Sequence, residues 1–216
     1  MLPVKSKILL PAIFVLVLAL SRIPGLMPFN FSVVYALTFC SGVYLRGALG
    51  WWLPLLSILV TDLGLNAYYQ HQNPGANVWS AANLPFLGCN YLAYAALIFL
   101  GRRFKPKTSL VRLLAGGLLG ALLFYVITNT AAWIFDPAYA KTLAGWIIAL
   151  TKGTSGYPQT WEFFRNTLMS AGLFTLLFGA AAKFTAESPA DKTAGAREPE
   201  KDEEPEAEAE PEDAKA

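Results

Sequence analysis

The sequence predicts an all-α, polytopic membrane bundle followed by an acidic tail. Two observations support this prediction, the composition and the distribution of charge. Of the 216 residues, 55% are hydrophobic and only 15% are charged, whereas soluble domains carry about 25% charged residues. Residues 185–216 hold 12 acids against 4 bases, while residues 1–184 hold 3 acids against 13 bases. The net charge of +2 therefore averages a basic membrane domain, 1–184, and an acidic tail, 185–216.

Six apolar runs are bounded by charged residues, glycine and proline, and each approaches the length of about 20 residues that crosses a bilayer. They cover residues 7–23, 33–50, 52–69, 82–100, 110–135 and 161–184. Residues 140–150 are apolar but too short to span. The sequence therefore predicts six transmembrane helices with a short interfacial or re-entrant helix between the fifth and the sixth.

The first run has a second interpretation, because Lys5 and Lys7 precede a short apolar stretch that ends in Ala19-Leu20-Ser21. That pattern also fits a secretory signal peptide with a small-residue cleavage site. Retention as a span is favoured, since residues 22–24 lead into a constrained, polar and aromatic segment rather than into a soluble domain. Cleavage would leave five spans.

The basic residues between the runs and near their ends predict the orientation of the bundle, because cytoplasmic loops hold the excess of lysine and arginine. The set on the predicted cytoplasmic side comprises Lys5, Lys7, Arg46, Arg102, Arg103, Lys105, Lys107 and Lys183. The opposite set comprises Arg22, Lys141 and Lys152, with Arg165 just inside the sixth run. Both termini are therefore predicted to be cytoplasmic. The tail, which has no apolar residue larger than alanine, is predicted to be disordered.

Polar residues within or near the runs gather at the outer level of the predicted bundle, which indicates a solute site there. Asp62 and Asn66 are four residues apart on one helical face, and Glu162, Arg165 and Asn166 share another. The candidate binding residues are Asn30, Asp62, Asn66, Asn129, Trp133, Glu162, Arg165 and Asn166.

Each candidate also has a structural interpretation. An acid inside a span must be paired or face water, so Asp62 could form a salt bridge to Arg165 or Arg22. Glu162 and Arg165 could likewise form a salt bridge with each other. Asparagines commonly join helices by hydrogen bonds, and tryptophans such as Trp133 commonly form interfacial belts.

The fifth run contains Gly116, Gly117 and Gly120, small residues that let another helix approach closely. Packing within the bundle is the favoured interpretation, and docking to another membrane subunit is the alternative.

Motifs for catalysis or for resident cofactors are not visible in the sequence. There is no phosphate-binding glycine loop, Cys40 and Cys89 have no metal or redox spacing, and the single His71 lacks clustered ligands. The sequence therefore predicts a protein that is not an enzyme, has no catalytic residues, binds no metal or cofactor, and has no nucleic-acid partner.

Four segments resemble the signature stretches of an uncharacterised bacterial six-helix membrane family. They are Arg22-Ile23-Pro24 to Asn30-Phe31-Ser32, Thr61-Asp62-Leu63-Gly64, Thr128-Asn129 to Trp133, and Phe163-Phe164-Arg165-Asn166-Thr167. That family in turn resembles the S components of energy-coupling-factor (ECF) transporters.

The resemblance implies a multi-pass protein of the bacterial inner membrane that captures a solute from outside. A transmembrane T subunit and ATPase subunits would drive release inward. One departure is visible, since the first run lacks the Ala-x-x-x-Ala surface of vitamin-type S components. An organic solute is expected, because the N-terminal histidine cluster of metal-type S components is missing.

Two other functions are weighed against solute capture. One is a structural or assembly protein that recruits a partner through its acidic tail. The other is an intramembrane enzyme with Asp62 and Glu162 as acid and base, for which the sequence offers no activated nucleophile or metal set.

Overall fold

The computed structural model describes residues 4–45 and 47–186, and every regular element within them is helical. The α-helices are α1 (Val4–Ser21), α2 (Val34–Tyr44), α3 (Leu49–Gln72), α4 (Leu84–Gly101), α5 (Leu110–Phe135), α6 (Leu143–Thr151) and α7 (Thr160–Ala186). Two 3₁₀ turns, Pro74–Ala76 and Ala81–Asn83, lie between α3 and α4. The all-α class is confirmed. From residue 187 onward, the predicted disordered tail lies outside the described residues.

Four stretches are long and apolar enough to cross a membrane: Leu49–Gln72, Ala81–Gly101, Leu110–Phe135 and Thr160–Phe184. Two further apolar helices of the described part of the chain are shorter, Pro11–Ser21 within α1 and Val34–Tyr44. A helix of 11 residues rises only about 16 Å, roughly half the hydrocarbon thickness. A helical membrane bundle is therefore supported, but four spans stand where the sequence predicted six.

The second predicted run, 33–50, shows why the count differs, because α2 ends at Tyr44 and α3 already begins at Leu49. Leu45 is extended, and Gly47 has a φ of +63°, a conformation that favours glycine. Gly50 then packs on the turn so closely that a Cβ there would lie 2.5 Å from the Leu45 carbonyl oxygen. The predicted run continued past Arg46 and Gly47 to residue 50 and so joined the end of α2 to the start of α3.

The short helix α2 is the centre of the bundle. Every one of its residues is buried, and it packs against α3, α4, α5 and α7. The helix α4 approaches α2 closely through two glycines. A Cβ on Gly42 of α2 would lie 2.2 Å from the Ile98 carbonyl oxygen, and a Cβ on Gly101 of α4 would lie 2.0 Å from the Phe39 carbonyl oxygen. Since lipid tails are as apolar as the helices, such backbone-close packing is a main source of stability between them.

The glycines of α5 are used in the same way. Gly116 faces the rings of Phe39 and Phe104, and Gly117 faces Thr175 of α7. Both glycines and Gly120 are buried within the bundle. The packing interpretation of this motif is confirmed.

Candidate functional site

A cavity of about 1170 Å³ opens at the end of the bundle where α3 and α5 finish and α7 begins. Its walls come from the segment between α1 and α2, from α3, α4 and α5, and from the segment leading into α7. Pockets for small ligands commonly measure about 300–1,000 Å³. The cavity is therefore large enough for an organic molecule together with water.

Aromatic rings from separate helices form much of the wall. Tyr94 of α4 stacks on Phe124 of α5 with centroids 5.3 Å apart, and Tyr35 of α2 meets the same Phe124 edge-on at 4.8 Å. Tyr125 of α5 stacks on Phe164 of α7 at 4.1 Å. All five rings line the cavity. Their mutual packing fixes their orientation, so they offer flat surfaces that a planar solute could contact.

The ion pair of Arg22 and Asp62 joins the end of α1 to α3. The second carboxylate oxygen of Asp62 accepts a hydrogen bond from the Tyr91 hydroxyl at 3.3 Å. About one fifth of each charged side chain is exposed (19% for Arg22 and 22% for Asp62). The salt-bridge interpretation of Asp62 is thus confirmed, with Arg22 rather than Arg165 as its partner.

Only one member of this pair faces the cavity, since Arg22 contributes to its lining and Asp62 does not. Arg22 is the one cationic residue among the described residues that line it. Its Nε atom is buried and has no hydrogen-bond partner within the described part of the chain. Arg22 therefore lines the cavity, and its guanidinium has a donor that no other described residue satisfies.

Two of the predicted binding residues, Asn30 and Asn129, line the cavity. Asn30 has a φ of +56°, which asparagine tolerates better than most residues. The side-chain amide of Asn129 donates to the Tyr125 carbonyl one helical turn earlier, at 2.8 Å. Both amides are placed where they can contact a solute.

Five other predicted residues do not line it: Asn66, Trp133, Glu162, Arg165 and Asn166. Trp133 donates its indole N–H to the Ala140 carbonyl at 2.9 Å, and the exposed Arg165 lies over the Trp161 ring at 5.7 Å. Among the described residues, the Glu162–Arg165 pair is not formed, since the salt bridge between Arg22 and Asp62 is the only one there.

Asn166 acts on the cavity indirectly. Its side-chain amide donates to the Phe29 carbonyl at 2.9 Å, across 137 positions of sequence. Phe29 belongs to the segment between α1 and α2 that forms one wall. Asn166 therefore tethers that wall to α7.

Several lining residues were not among the sequence candidates. Besides the five rings, they include Asp136, Tyr139 and Thr154. Burial, and secondarily the nearby Asp136 carboxylate, raise the pKa of the Tyr139 hydroxyl above its ordinary value, although a hydrogen bond with Thr154 opposes the shift. Tyr139 therefore stays protonated and can donate a hydrogen bond. A hydropathy pattern does not distinguish such aromatic residues from other residues of the bundle. Only the three-dimensional structure shows that they meet at one cavity.

The short helix predicted between the last two spans is present as α6, and it is fixed to α5 by two hydrogen bonds. The Tyr125 hydroxyl donates to the Leu150 carbonyl, and the Trp146 indole donates to the Thr130 hydroxyl at 2.9 Å. Tyr125 thus joins the cavity wall to α6. The interfacial or re-entrant placement of α6 stays a prediction.

Among the described residues, no set of three or more His, Cys, Asp or Glu side chains could hold a metal ion. The polar groups of the cavity are instead hydroxyls, amides, one guanidinium and one carboxylate. This set suits hydrogen bonding to an organic molecule.

Comparison with known proteins gives one positive finding. A family profile described as a family of unknown function, DUF6580, matches residues 3–191. No curated protein and no solved structure gives a significant match to the chain.

Proposed function

Because the chain belongs to DUF6580, a family of unknown function, we propose its function from the geometry of its own cavity. It is an integral membrane protein that binds a small organic solute, and it serves as the substrate-capture subunit of an uptake transporter. The observation that supports this proposal is the cavity itself, which combines stacked rings from α4, α5 and α7 with amide, hydroxyl and guanidinium donors. The solute is expected to contain a ring.

The proposed orientation places the cavity on the outer side of the bacterial inner membrane. The exposed Arg102, Arg103, Lys105 and Lys107 lie between α4 and α5, at the other end of α5 from the cavity. Basic loops stay in the cytoplasm, so the cavity would open outward and both termini would lie inside. Solute capture from outside requires this arrangement.

Coupling to an energising module is part of the proposal. By its resemblance to S components, the protein would work with a transmembrane T subunit and ATPase subunits. Native mass spectrometry of the gently purified protein tests both parts, through a retained small molecule and through co-purifying subunits. Absence of a retained molecule across several mild detergents would contradict solute capture. A retained molecule without those subunits would contradict only the coupling.

Filling the cavity should abolish solute retention. Asn90 of α4 lines the cavity, so Asn90→Trp would occupy solute space and should reduce the retained fraction about tenfold or more, a change that about 1.4 kcal/mol produces. Leu92→Trp is the matched control on the same helix, because Leu92 is exposed on the bundle surface. Native mass spectrometry reads both variants. Equal retention by the two would argue against the cavity as the binding site.

The orientation is tested with single cysteines in a Cys89→Ala background, where the buried Cys40 should not react. Gln72→Cys, at the exposed end of α3, should react with a membrane-impermeant maleimide in right-side-out spheroplasts. Lys107→Cys, in the exposed loop between α4 and α5, should react only after lysis. The reverse labelling pattern would place the cavity on the cytoplasmic side.

A further inference from the structure

Arg22 differs from the other basic residues of the described chain, because it lines the cavity and is largely buried. Arg165, by contrast, is exposed and stacked on Trp161. A charged group taken from water must find partners or it destabilises the fold. The donors of Arg22 that its protein partners leave unused therefore indicate what kind of ligand it could bind.

Asp62 occupies only part of the Arg22 donor set. A guanidinium has five N–H donors, and Asp62 accepts from Nη2 through a single oxygen, Oδ1. The other Asp62 oxygen accepts a hydrogen bond from the Tyr91 hydroxyl. The buried Nε has no partner among the described residues. Asp62 thus holds Arg22 in position without saturating it.

The group that best completes such a guanidinium is a second oxyanion, since arginine forms paired, charge-assisted hydrogen bonds with carboxylate and phosphate oxygens. The stacked Tyr94–Phe124 pair lines the same cavity. One solute could therefore place a ring among the aromatic side chains and an acidic group on Arg22. Asp136 is the other charged residue among the described lining residues, and its carboxylate accepts from the Ala138 amide at 2.8 Å. A carboxylate has no hydrogen-bond donor to offer to an anionic solute.

We propose that Arg22 is the recognition point for the oxyanion of a ring-containing organic acid, and that Asp62 is its positioning residue. This inference rests on the proposed solute-binding function and narrows its ligand to an anion. It also assigns Asp62 a role behind the site rather than in contact with the solute.

The test uses benzoate and benzamide, two planar probes of nearly equal size that differ in charge. Their binding to the full chain in detergent is measured by saturation-transfer NMR, which detects weak ligands. Hydrogen bonds to charged groups are stronger than neutral ones, so benzoate should bind about tenfold or more tightly than benzamide. Arg22→Gln should remove this preference, whereas Arg165→Gln, outside the cavity, should keep it.

Asp62→Asn gives a result that a purely structural pair would not produce. The asparagine amide oxygen can still accept from Arg22 and keep it in position, but the guanidinium loses its counter-ion. Benzoate binding should therefore strengthen several-fold while benzamide binding stays unchanged. The double variant Arg22→Gln/Asp62→Asn, which leaves no unpaired charge, should be folded and should show no preference. It guards against a misfolded single variant.

The outcomes separate this inference from the function on which it rests. Two results would overturn the role of Arg22 while solute capture stands. One is that the unmodified protein binds benzamide as tightly as benzoate, and the other is that Asp62→Asn weakens benzoate binding. A retained molecule without an acidic group in native mass spectrometry would overturn it as well. Failure of both probes to bind, together with the absence of any retained molecule, would instead contradict the solute-binding function itself.

Discussion

Gly101→Ala should strongly destabilise the bundle. A Cβ at this position would lie 2.0 Å from the Phe39 carbonyl oxygen and 3.1 Å from the Cα of Gly42. Both are backbone atoms, so no side-chain rotation can relieve the clash and α2 would have to move away from α4. Overpacking commonly costs about 1–3 kcal/mol and sometimes more, and a loss of about 3 kcal/mol or more is expected here. Thermal unfolding in detergent, followed by size-exclusion chromatography, measures it.

Gly88→Ala is the matched control, because Gly88 lies on the same helix with nothing within 4 Å of its added Cβ. Alanine is the better helix former by up to about 1 kcal/mol, so this variant should be as stable as the unmodified protein or slightly more so. Comparable destabilisation by the two substitutions would mean that the close crossing of α2 and α4 does not determine stability.

Arg22→Gln should also destabilise the fold, for an electrostatic reason. It leaves the Asp62 carboxylate on α3 with the Tyr91 hydroxyl as its one side-chain partner among the described residues. Removing one member of a buried pair typically costs about 3–5 kcal/mol. Because about one fifth of each side chain is exposed, we expect a smaller loss, of about 1–3 kcal/mol. Chemical unfolding in a mixed-detergent series measures the difference.

Adding Asp62→Asn to Arg22→Gln should restore most of the lost stability, since the unpaired charge is then gone. The two substitutions are therefore expected to be strongly non-additive, as residues in direct contact usually are. Arg165→Gln serves as the control, because an exposed arginine contributes little. Additive losses from Arg22→Gln and Asp62→Asn would argue that the two residues act independently.

Helix positions could largely be predicted from the apolar runs. The fifth run, 110–135, coincides with α5 at Leu110–Phe135, and the sixth, 161–184, lies within α7 at Thr160–Ala186. These helices are long, and their limits are marked by polar residues and proline that hydropathy registers well. The second run was extended too far because it was continued past Arg46 to residue 50, whereas α2 ends at Tyr44, Leu45 is extended and Gly47 has a positive φ.

The candidate site was predicted less completely. Asn30 and Asn129 line the cavity as expected, because polar residues near the ends of spans tend to face protein or water rather than lipid. Glu162 and Arg165 share a helical face, but their spacing could not show that this face lies outside the cavity. The rings of Tyr94, Phe124 and Tyr125 went unnoticed, since one aromatic residue in an apolar helix carries no local signal of a binding wall.

The sequence by itself determined that this chain forms helices long and apolar enough to cross a membrane, and where most of them lie. In hydrocarbon, each backbone polar group must be satisfied within its own segment, so composition and length suffice to identify a helix. Only the tertiary structure decided that the short α2 is the buried centre, that Arg22 pairs with Asp62 forty positions away, and that rings from four helices line a cavity. These features depend on how helices approach one another, and that approach is set by glycine contacts and side-chain packing between segments distant in sequence.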